Sequence, residues 1–308
     1  MKWKLFIGCS LLGLIGINIL AYNHAHQFTH FSATENKRVQ PESLSLTQKA
    51  KILFQGAPSP KPINTKTPNS TYKTITIEGE ETLEAWWMEA LNSKGIVLLF
   101  HGYCGNKSAL VPFADVFLEM GFSTLLIDFR GSGGSTGNAT TIGVKESQDV
   151  IAAYDYIQSE YPEQELILFG HSMGAAAIMR AMAKSEITPD RLILASPFGR
   201  MRHTIQQRFR TMGVPSFPFA DLLMLHGGWQ HDFNAYRHNP IDYAKSITIP
   251  TLLIHGQLDK RVTRAEIDAI FESLDGEKKL LILENSGHNG FLKTDAAVWK
   301  DAVGEFLE

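Results

Sequence analysis

A serine, an aspartate and a histidine in this chain have the types and the order needed for nucleophilic catalysis. Ser172 lies at the centre of Gly170–Gly174, which reads Gly-His-Ser-Met-Gly, and Asp259 and His288 follow it along the chain. A serine hydroxyl is a weak nucleophile at neutral pH, so it needs an adjacent base, and that base needs a carboxylate to orient it. The three residues therefore predict acyl-transfer chemistry at Ser172, provided that the fold brings them together.

The residues around Ser172 predict a sharp turn between a strand and a helix. The apolar run Leu166–Phe169 is typical of a buried strand, and the small-residue run Ala175–Met179 is typical of a helix. Gly170 and Gly174 would let the strand and the helix approach closely while the serine takes a strained backbone conformation. The five-residue pattern alone is weak because it recurs by chance, so the flanking runs carry most of the weight.

Asp259 and His288 each follow a predicted strand. The strand Thr251–His255 precedes Asp259, and the strand Leu280–Glu284 precedes His288. Loops after parallel strands meet at one edge of a sheet, which is the edge that binds ligands. Taken singly, Asp259 could be an acid at the start of a helix and His288 a surface-loop histidine. Their order after Ser172 favours the catalytic interpretation.

A serine mechanism also needs two backbone N–H groups aimed at the oxygen on which negative charge develops. One predicted donor is Met173, the residue after the serine. The other is Tyr103, in the loop His101–Asn106 that follows the predicted strand Ile96–Phe100.

Short apolar runs predict a sheet of the α/β class. Continuous apolarity is typical of strands covered on both faces, and it occurs at 96–100, 122–127, 166–169, 192–194, 252–254 and 280–283. Residues 72–77 and 83–89 predict an antiparallel hairpin at the sheet edge. Helical patterns separate the runs at 108–120, 143–161, 173–184, 263–274 and 295–306. The pattern predicts a mostly parallel, doubly wound sheet.

The interval between the sixth and seventh predicted strands is too long for an ordinary connection. It predicts an inserted cap over about 198–245, rich in aromatic, leucine and methionine side chains, lying over the carboxyl edge of the sheet. A pair of ordinary packing helices is the alternative. The four arginines at 200, 202, 208 and 210 could bind an anionic headgroup, although a solvated helix face is the simpler interpretation.

The amino-terminal residues 1–25 predict a membrane anchor or a signal segment. Lys2 and Lys4 precede Leu5–Tyr22, an uncharged run just long enough to cross a bilayer. No clean cleavage site follows, which favours an uncleaved anchor over a cleaved signal peptide. The lysines would hold that end in the cytoplasm, so the catalytic part would face outward, to the periplasm or the cell exterior. A linker over 26–66 and a catalytic domain over 67–308 complete the predicted organisation.

Two loops give the chain a family resemblance. The stretch Asp128–Gly137 and the loop containing His101, Gly102 and Asn106 resemble those of Bem46-like and other serine-aminopeptidase-type (S33) hydrolases. The resemblance covers roughly residues 72–308 and implies the α/β-hydrolase fold. It also implies a role for each candidate residue: Ser172 as nucleophile, Asp259 as orienting acid, His288 as base, and the N–H groups of Tyr103 and Met173 as the oxyanion hole.

The predicted function is that of a serine hydrolase acting on a carboxylic ester or lipid-like acyl substrate, which the apolar cap favours. A peptidase or amidase and an acyltransferase would use the same residues, whereas a non-catalytic binding module would normally lack one of them. A serine mechanism requires no metal and no organic cofactor. The expected partners are a small-molecule or lipid-like acyl substrate and, through the amino-terminal segment, a membrane.

Composition and spacing argue against other classes of protein. The net charge is −3 and no basic stripe is interleaved with aromatic residues, so nucleic-acid binding has no support. The glycine-rich residues 131–136 do not match a dinucleotide loop, because Thr136 stands where the third glycine belongs. The histidines at 24, 26 and 30 and those at 226, 231 and 238 do not combine a helical i,i+4 ligand spacing with a carboxylate, as a zinc site would.

Overall fold

The fold is built on a large β-sheet with helices on its faces. The structure is a computed structural model that describes residues 2–32, 47, 55–56, 59–211, 213 and 215–308. Much of the linker predicted over 26–66 lies outside these described residues. The strands are β1 (Phe31–Ser32), β2 (Ser59–Pro60), β3 (Lys73–Ile77), β4 (Leu83–Met88), β5 (Ile96–Phe100), β6 (Ser123–Ile127), β7 (Leu166–His171), β8 (Arg191–Ala195), β9 (Thr251–Gly256) and β10 (Lys278–Leu283).

The large sheet has eight strands within the described residues, in the order β10-β9-β8-β7-β5-β6-β4-β3. The pairs β3–β4 and β4–β6 are antiparallel, and the other neighbours are parallel. The predicted parallel sheet with a hairpin at its edge is thus confirmed. Phe100 of β5 pairs with Gly170 of β7, and Gly256 of β9 pairs with Leu283 of β10. The loops after these four strands therefore leave the same edge of the sheet.

The helices follow the predicted alternation with the strands. They are α1 (Lys2–Thr29), α2 (Val111–Glu119), α3 (Glu146–Glu160), α4 (Met173–Lys184), α5 (Met201–Thr211), α6 (Phe219–Gln230), α7 (Pro240–Ala244), α8 (Arg264–Ser273), α9 (Phe291–Thr294) and α10 (Ala296–Leu307). Helices α5, α6 and α7 lie between β8 and β9, so the insertion predicted between the sixth and seventh strands of the sheet is confirmed.

Apolar side chains cover the sheet on both faces. Every residue of β5 and β6 is buried, as their continuous apolar runs predicted. On one face, α2 and α10 pack on the sheet through Phe117, Phe169 and Trp299, whose rings meet edge to face with centroids 5.7–6.3 Å apart. Helices α3 and α4 contact each other and the sheet. Full burial of one such side chain contributes about 2–3 kcal/mol, so this packing fixes the strands that carry the site.

The chain divides into two compact units. One unit is Met1–Lys61 together with Met201–Arg237, and the other is Pro62–Arg200 together with His238–Glu308. In the first unit α1 contacts α6, so the amino-terminal helix packs against part of the predicted cap. The second unit contains the large sheet. The pairing of α1 with α6 was not expected from the sequence.

Helix α1 has the length and the composition of a membrane-spanning helix. The stretch Phe6–Thr29 has 24 residues and a mean hydropathy of 1.7, and among the described residues it alone meets these criteria. A signal sequence near an amino terminus meets the same criteria. The helix ends at Thr29, beyond the boundary expected at residue 25.

The buried side chain of His238 makes the stability of the fold depend on pH. Its Nε2 donates to the carbonyl oxygen of Ile142 at 3.0 Å, and its Nδ1 lies 3.1 Å from the hydroxyl of Tyr243. Arg180 donates to the same hydroxyl at 3.0 Å. Burial lowers the pKa of His238 to about 4. The charge on Arg180 also lowers this pKa, whereas the hydrogen bond to Ile142 raises it.

We expect the free energy of unfolding to fall as the pH falls from about 6.5 to about 4. Unfolded His238 takes up a proton near pH 6.5, whereas folded His238 stays neutral down to about 4, so acid favours the unfolded chain. One pKa unit corresponds to about 1.4 kcal/mol, so the loss approaches about 3 kcal/mol. Thermal unfolding of the full chain in detergent at stepped pH measures this loss. His238→Gln should make the dependence shallower without abolishing it, because the pKa of His171 is also lowered to about 4. An unchanged slope would contradict the assignment to His238.

Candidate active site

Ser172 lies at the apex of a tight turn between β7 and α4. Its backbone has φ 55° and ψ −111°, a conformation that costs about 1–3 kcal/mol in a residue other than glycine. Its N–H donates to the carbonyl oxygen of Ala195 at 2.7 Å, and its carbonyl accepts from Ala176 at 3.1 Å. The strained residue is therefore held from both sides, and the predicted strand–turn–helix is present.

Two glycines make this turn possible. A Cβ added to Gly170 would overlap the backbone of Ala175 at the start of α4. A Cβ added to Gly174 would overlap the carbonyl oxygen of Phe100 at the end of β5. The spacing of the two glycines about Ser172 thus reflects the close packing of the helix against two strands.

The structure brings Ser172, His288 and Asp259 into one chain of hydrogen bonds. His288 Nε2 lies 2.9 Å from Ser172 Oγ, and His288 Nδ1 lies 2.7 Å from Asp259 Oδ2. Because a carboxylate only accepts, Nδ1 carries the proton, and Nε2 is left to accept from the serine hydroxyl. This is the tautomer that a base acting on Ser172 needs.

Asp259 is held as an anion by the loop after β9. Its Oδ1 accepts from the N–H groups of Arg261 at 2.7 Å and Val262 at 3.1 Å. Burial would raise the pKa of Asp259, but the hydrogen bond to His288 and the two backbone bonds lower it below the usual range. The carboxylate therefore remains charged at neutral pH and keeps the proton on His288 Nδ1.

The loop that carries His288 is fixed against the loop that carries Asp259. The N–H of Leu258 donates to the carbonyl oxygen of Ser286 at 2.9 Å. Ser286 also bonds through its hydroxyl to Thr294 at 2.6 Å and to Asp295. A Cβ on Gly256 would overlap the backbone of this loop, so glycine permits the close approach.

His171 positions His288 from the other side. Its Nε2 donates to the carbonyl oxygen of His288 at 2.8 Å, and the two rings lie 5.3 Å apart between centroids. Burial, and then the neighbouring His288, lower the pKa of His171 to about 4, so its ring is neutral at physiological pH. Sequence reasoning missed this contact, since adjacency to Ser172 does not show where the His171 ring points.

The loop after β5 lies against Ser172. A Cβ on Gly102 would lie 3.4 Å from the Cβ of Ser172 and 3.4 Å from the carbonyl oxygen of His171. Tyr103 follows Gly102 directly, and Met173 begins α4 directly after Ser172. The two predicted oxyanion donors thus come from segments that flank the serine.

A buried ion pair holds this loop in place. Lys107, which is fully buried, donates through Nζ to Asp128 and, at 2.6 Å, to Glu84. The backbone N–H of Lys107 donates to Asp128 Oδ1 at 2.7 Å. Burial would raise the pKa of Asp128, but Lys107 lowers it below the usual range, so the carboxylate stays charged. Sequence reasoning gave Lys107 no role, because its partners lie about twenty residues away in either direction.

The glycine-rich loop after β6 borders the same edge of the sheet. Arg130 donates to Asp149 at 2.7 Å and to Glu80 at 2.8 Å, and these two ion pairs brace the loop. The N–H of Gly134 donates to Asp128 Oδ2 at 3.0 Å. The loop is therefore tied to the ion pair that supports the segment beside Ser172.

The assembled groups fit nucleophilic chemistry at a carbonyl carbon. They comprise a strained serine, an imidazole within hydrogen-bond distance of its hydroxyl and a buried carboxylate that fixes the imidazole tautomer. Among the residues that the structure describes, no group of three or more His, Cys, Asp or Glu side chains is placed to hold a metal ion. That a metal and a cofactor are not needed stays a prediction.

A known protein family matches the middle of the chain. Residues 92–241 match the family described as serine aminopeptidase, S33. The matched range contains Ser172 and the loop after β5, whereas Asp259 and His288 lie beyond it. The contact of these two residues with Ser172 therefore comes from the structure.

Relatives of the chain include a bacterial protein and an animal lipase. YqkD of Bacillus subtilis (strain 168) is 27% identical over 219 residues, which are 69% of this chain and 70% of that protein. The lysophosphatidylserine lipase ABHD12 of Mus musculus is 27% identical over 188 residues, which are 57% of this chain and 44% of the lipase. The chain thus spans less than half the length of that lipase.

A solved esterase has the same fold. The Pyrococcus furiosus esterase Pf2001 superposes with a TM-score of 0.69 and 26% identity, covering 80% of this chain and 96% of the esterase. The chain belongs to the α/β-hydrolase superfamily, as the resemblance in its sequence implied. Of the proteins compared above, ABHD12 is described as a lipase and Pf2001 as an esterase.

Proposed function

We propose that this protein is a serine hydrolase that cleaves a carboxylic ester of a lipid-like acyl substrate. The observation that carries the proposal is the chain of hydrogen bonds from Ser172 through His288 to Asp259. Relatives described as an esterase and as a lysophosphatidylserine lipase favour an ester over an amide. The apolar residues of the cap favour a lipid-like acyl group.

Acylation would begin with attack of Ser172 Oγ on the carbonyl carbon while the hydroxyl proton passes to His288 Nε2. Asp259 stabilises the imidazolium. The N–H groups of Tyr103 and Met173 would bind the oxyanion, and one such donor contributes about 3–4 kcal/mol to transition-state stabilisation. When the intermediate collapses, the C–O bond to the leaving group breaks, and the departing alcohol takes the proton from Nε2.

Deacylation would reverse these roles with water as the nucleophile. His288 Nε2 takes a proton from water, whose oxygen attacks the acyl carbon bound to Ser172 Oγ. Collapse of the second intermediate releases the carboxylic acid and returns the proton to the serine oxygen. No oxidant, reductant or cofactor takes part in either half-reaction.

We further propose that α1 anchors the protein in a membrane. Its length and composition support a span. By the positive-inside rule, Lys2 and Lys4 would hold the amino terminus on the cytoplasmic side, so the catalytic unit would face outward. An anchored enzyme would meet lipid substrates in the membrane in which it lies.

A substrate panel tests the proposed chemistry. The full chain in detergent is assayed against p-nitrophenyl esters of increasing acyl length, lysophosphatidylserine and aminoacyl p-nitroanilides. We expect kcat/KM to be highest for esters and to rise with acyl length. Faster turnover of the anilides would instead establish a peptidase or amidase, which the family description of the matched range favours. A product ester formed from an added alcohol in preference to the free acid would establish an acyltransferase.

The close packing behind Ser172 gives a further prediction. Gly174→Ala places a Cβ on the carbonyl oxygen of Phe100, so either the turn or the loop after β5 must move. Displacement of a reacting group by about 1 Å costs on the order of 100-fold in rate. We expect kcat/KM for a p-nitrophenyl ester to fall by about that factor.

Gly304→Ala is the matched control. Gly304 also lies in a helix, and a Cβ there would meet only Met120 Cε at 3.9 Å, an ordinary contact. This variant should keep wild-type activity and gain a little stability, since alanine favours helix over glycine by about 1 kcal/mol. Equal activities of the two variants would refute the packing argument.

A further inference from the structure

The cap helix α6 presents an apolar surface that its own unit leaves uncovered. The helix contains one charged residue, Asp221, in its first turn. A helix that is apolar on every side is typical of a buried helix or of one in contact with a membrane. Burial accounts for only part of α6, because Leu225 is 55% exposed and Trp229 is 75% exposed.

The two most exposed apolar side chains of α6 form one stripe. Leu225 and Trp229 are four residues apart, so they lie one above the other on the helix surface. The buried residues of α6 lie on the other side: Ala220, Met224, Gly227 and Gly228. The stripe is therefore a surface that packing within the unit does not explain.

The stripe continues the exposed apolar surface of α1. The ring of Tyr22 meets the ring of Trp229 edge to face, with centroids 6.3 Å apart. Gln230 donates to the backbone carbonyl oxygen of Tyr22 at 2.9 Å. Tyr22 is itself exposed, as are the large apolar side chains along α1, which include Phe6, Leu11, Leu12, Leu14, Ile15 and Ile19. The two helices therefore share one apolar surface.

Aromatic residues mark the level at which this surface would leave a bilayer. Trp3 and Tyr22 are both exposed on α1 and are separated by nineteen residues, or about 28 Å at 1.5 Å per residue. The hydrocarbon core of a bilayer is about 30 Å thick. Tryptophan and tyrosine gather at both of its interfaces. Tyr22, with Trp229 beside it, thus lies at the interface where α1 emerges.

A polar contact joins α6 to α1 one turn before Tyr22. Asn18 lies one turn before Tyr22, about 6 Å deeper along α1. Its side-chain oxygen is 3.1 Å from His226 Nε2 of α6, and its amide donates to the carbonyl oxygen of Leu14 at 2.9 Å. Polar side chains within a membrane are normally paired in this way. The partner of Asn18 comes from α6.

We infer that α6 is a second membrane-contacting element, which lies in the interface of the leaflet where α1 ends, with Leu225 and Trp229 inserted among the lipids. The exposed stripe formed by Leu225 and Trp229 would thus contact the lipid bilayer itself. The inference rests on the proposed anchoring by α1. It goes beyond that anchoring, because a simple tether would leave the cap in water.

Depth-dependent quenching tests the inference on the full chain. In a background with Cys9→Ala and Cys104→Asn, single cysteines are placed at Leu225→Cys and Trp229→Cys and labelled with bimane. Asparagine suits position 104 because that residue has φ 53°. The protein is reconstituted in phosphatidylcholine vesicles containing lipids with a doxyl group near the headgroup or near the bilayer centre. The label at Leu12→Cys reports on α1, and the label at Leu91→Cys, an exposed leucine of the other unit, is the control.

Interfacial helices lie about 5–10 Å inside the headgroup boundary, so labels at 225 and 229 should lose about half their fluorescence to the shallow quencher and less to the deep one. The label at 12 should respond more strongly to the deep quencher, and the label at 91 to neither. If the labels at 225 and 229 are quenched by neither lipid while the label at 12 is quenched, α1 is an anchor but α6 does not contact the membrane, and the inference is overturned. If the label at 12 is also unquenched, the proposal that α1 anchors the protein is contradicted as well.

Discussion

Ser172→Ala should lower kcat for ester hydrolysis about a million-fold while leaving the fold intact. The serine hydroxyl supplies the bond-forming atom, and removing one member of such a unit costs about as much as removing all of it. Alanine retains the Cβ, so the backbone strain at φ 55° is unchanged. Steady-state kinetics with a soluble p-nitrophenyl ester, together with thermal unfolding, measure both parts of this expectation.

Two further variants make the result specific. Ser159→Ala removes an exposed hydroxyl on α3 that bonds to the carbonyl oxygen of Tyr156, and it should leave kcat unchanged. The double variant Ser172→Ala/His288→Ala should be no slower than Ser172→Ala alone, because the two side chains act as one unit. A Ser172→Ala enzyme with more than a small fraction of wild-type activity would show that another nucleophile operates.

Asp259→Asn should lower kcat by about 10³–10⁴-fold. The N–H groups of Arg261 and Val262 already donate to Asp259 Oδ1, so an asparagine there would keep its oxygen toward them. Its NH₂ group would then face His288 Nδ1 and donate to it. The imidazole proton would move to Nε2, which could no longer accept the proton of Ser172.

A control variant and an NMR measurement distinguish a loss of kcat caused by the reversed tautomer from one caused by loss of structure. Asp268→Asn is the matched control, since Asp268 is an exposed residue that pairs with Arg264 on α8. Exposed ion pairs contribute at most about 1 kcal/mol to stability, and we expect this variant to have wild-type kinetics. In Asp259→Asn the ¹H NMR signal of the Nδ1 proton should disappear. Retention of more than a tenth of wild-type activity would contradict the proposed role of the carboxylate.

Features encoded locally in the sequence were predictable. The strand before Ser172 and the helix after it follow from an apolar run and a small-residue run, and α4 begins and ends at the predicted residues. The positions of Asp259 and His288 follow from one rule, that loops after parallel strands share one edge of the sheet. That edge then allows the 2.7 and 2.9 Å contacts of His288.

Features that depend on side-chain direction were not predictable. The bond from His171 to the backbone of His288 joins residues 117 positions apart. The pairing of α1 with α6 depends on contacts such as Asn18 with His226, which are 208 positions apart. No periodicity or turn signal encodes such contacts. The placement of Lys107 beneath the loop likewise depends on an ion pair that forms only when β4, β5 and β6 are assembled.

The most direct test of the proposed mechanism is the site at which a fluorophosphonate forms a covalent bond. The full chain is treated with the reagent, digested and mapped by mass spectrometry. We predict one adduct, on the peptide containing Ser172, that is absent from Ser172→Ala and strongly slowed in His288→Ala. An adduct on a different residue, or an unlabelled wild-type protein that is folded, would contradict the claim that Ser172 is the nucleophile.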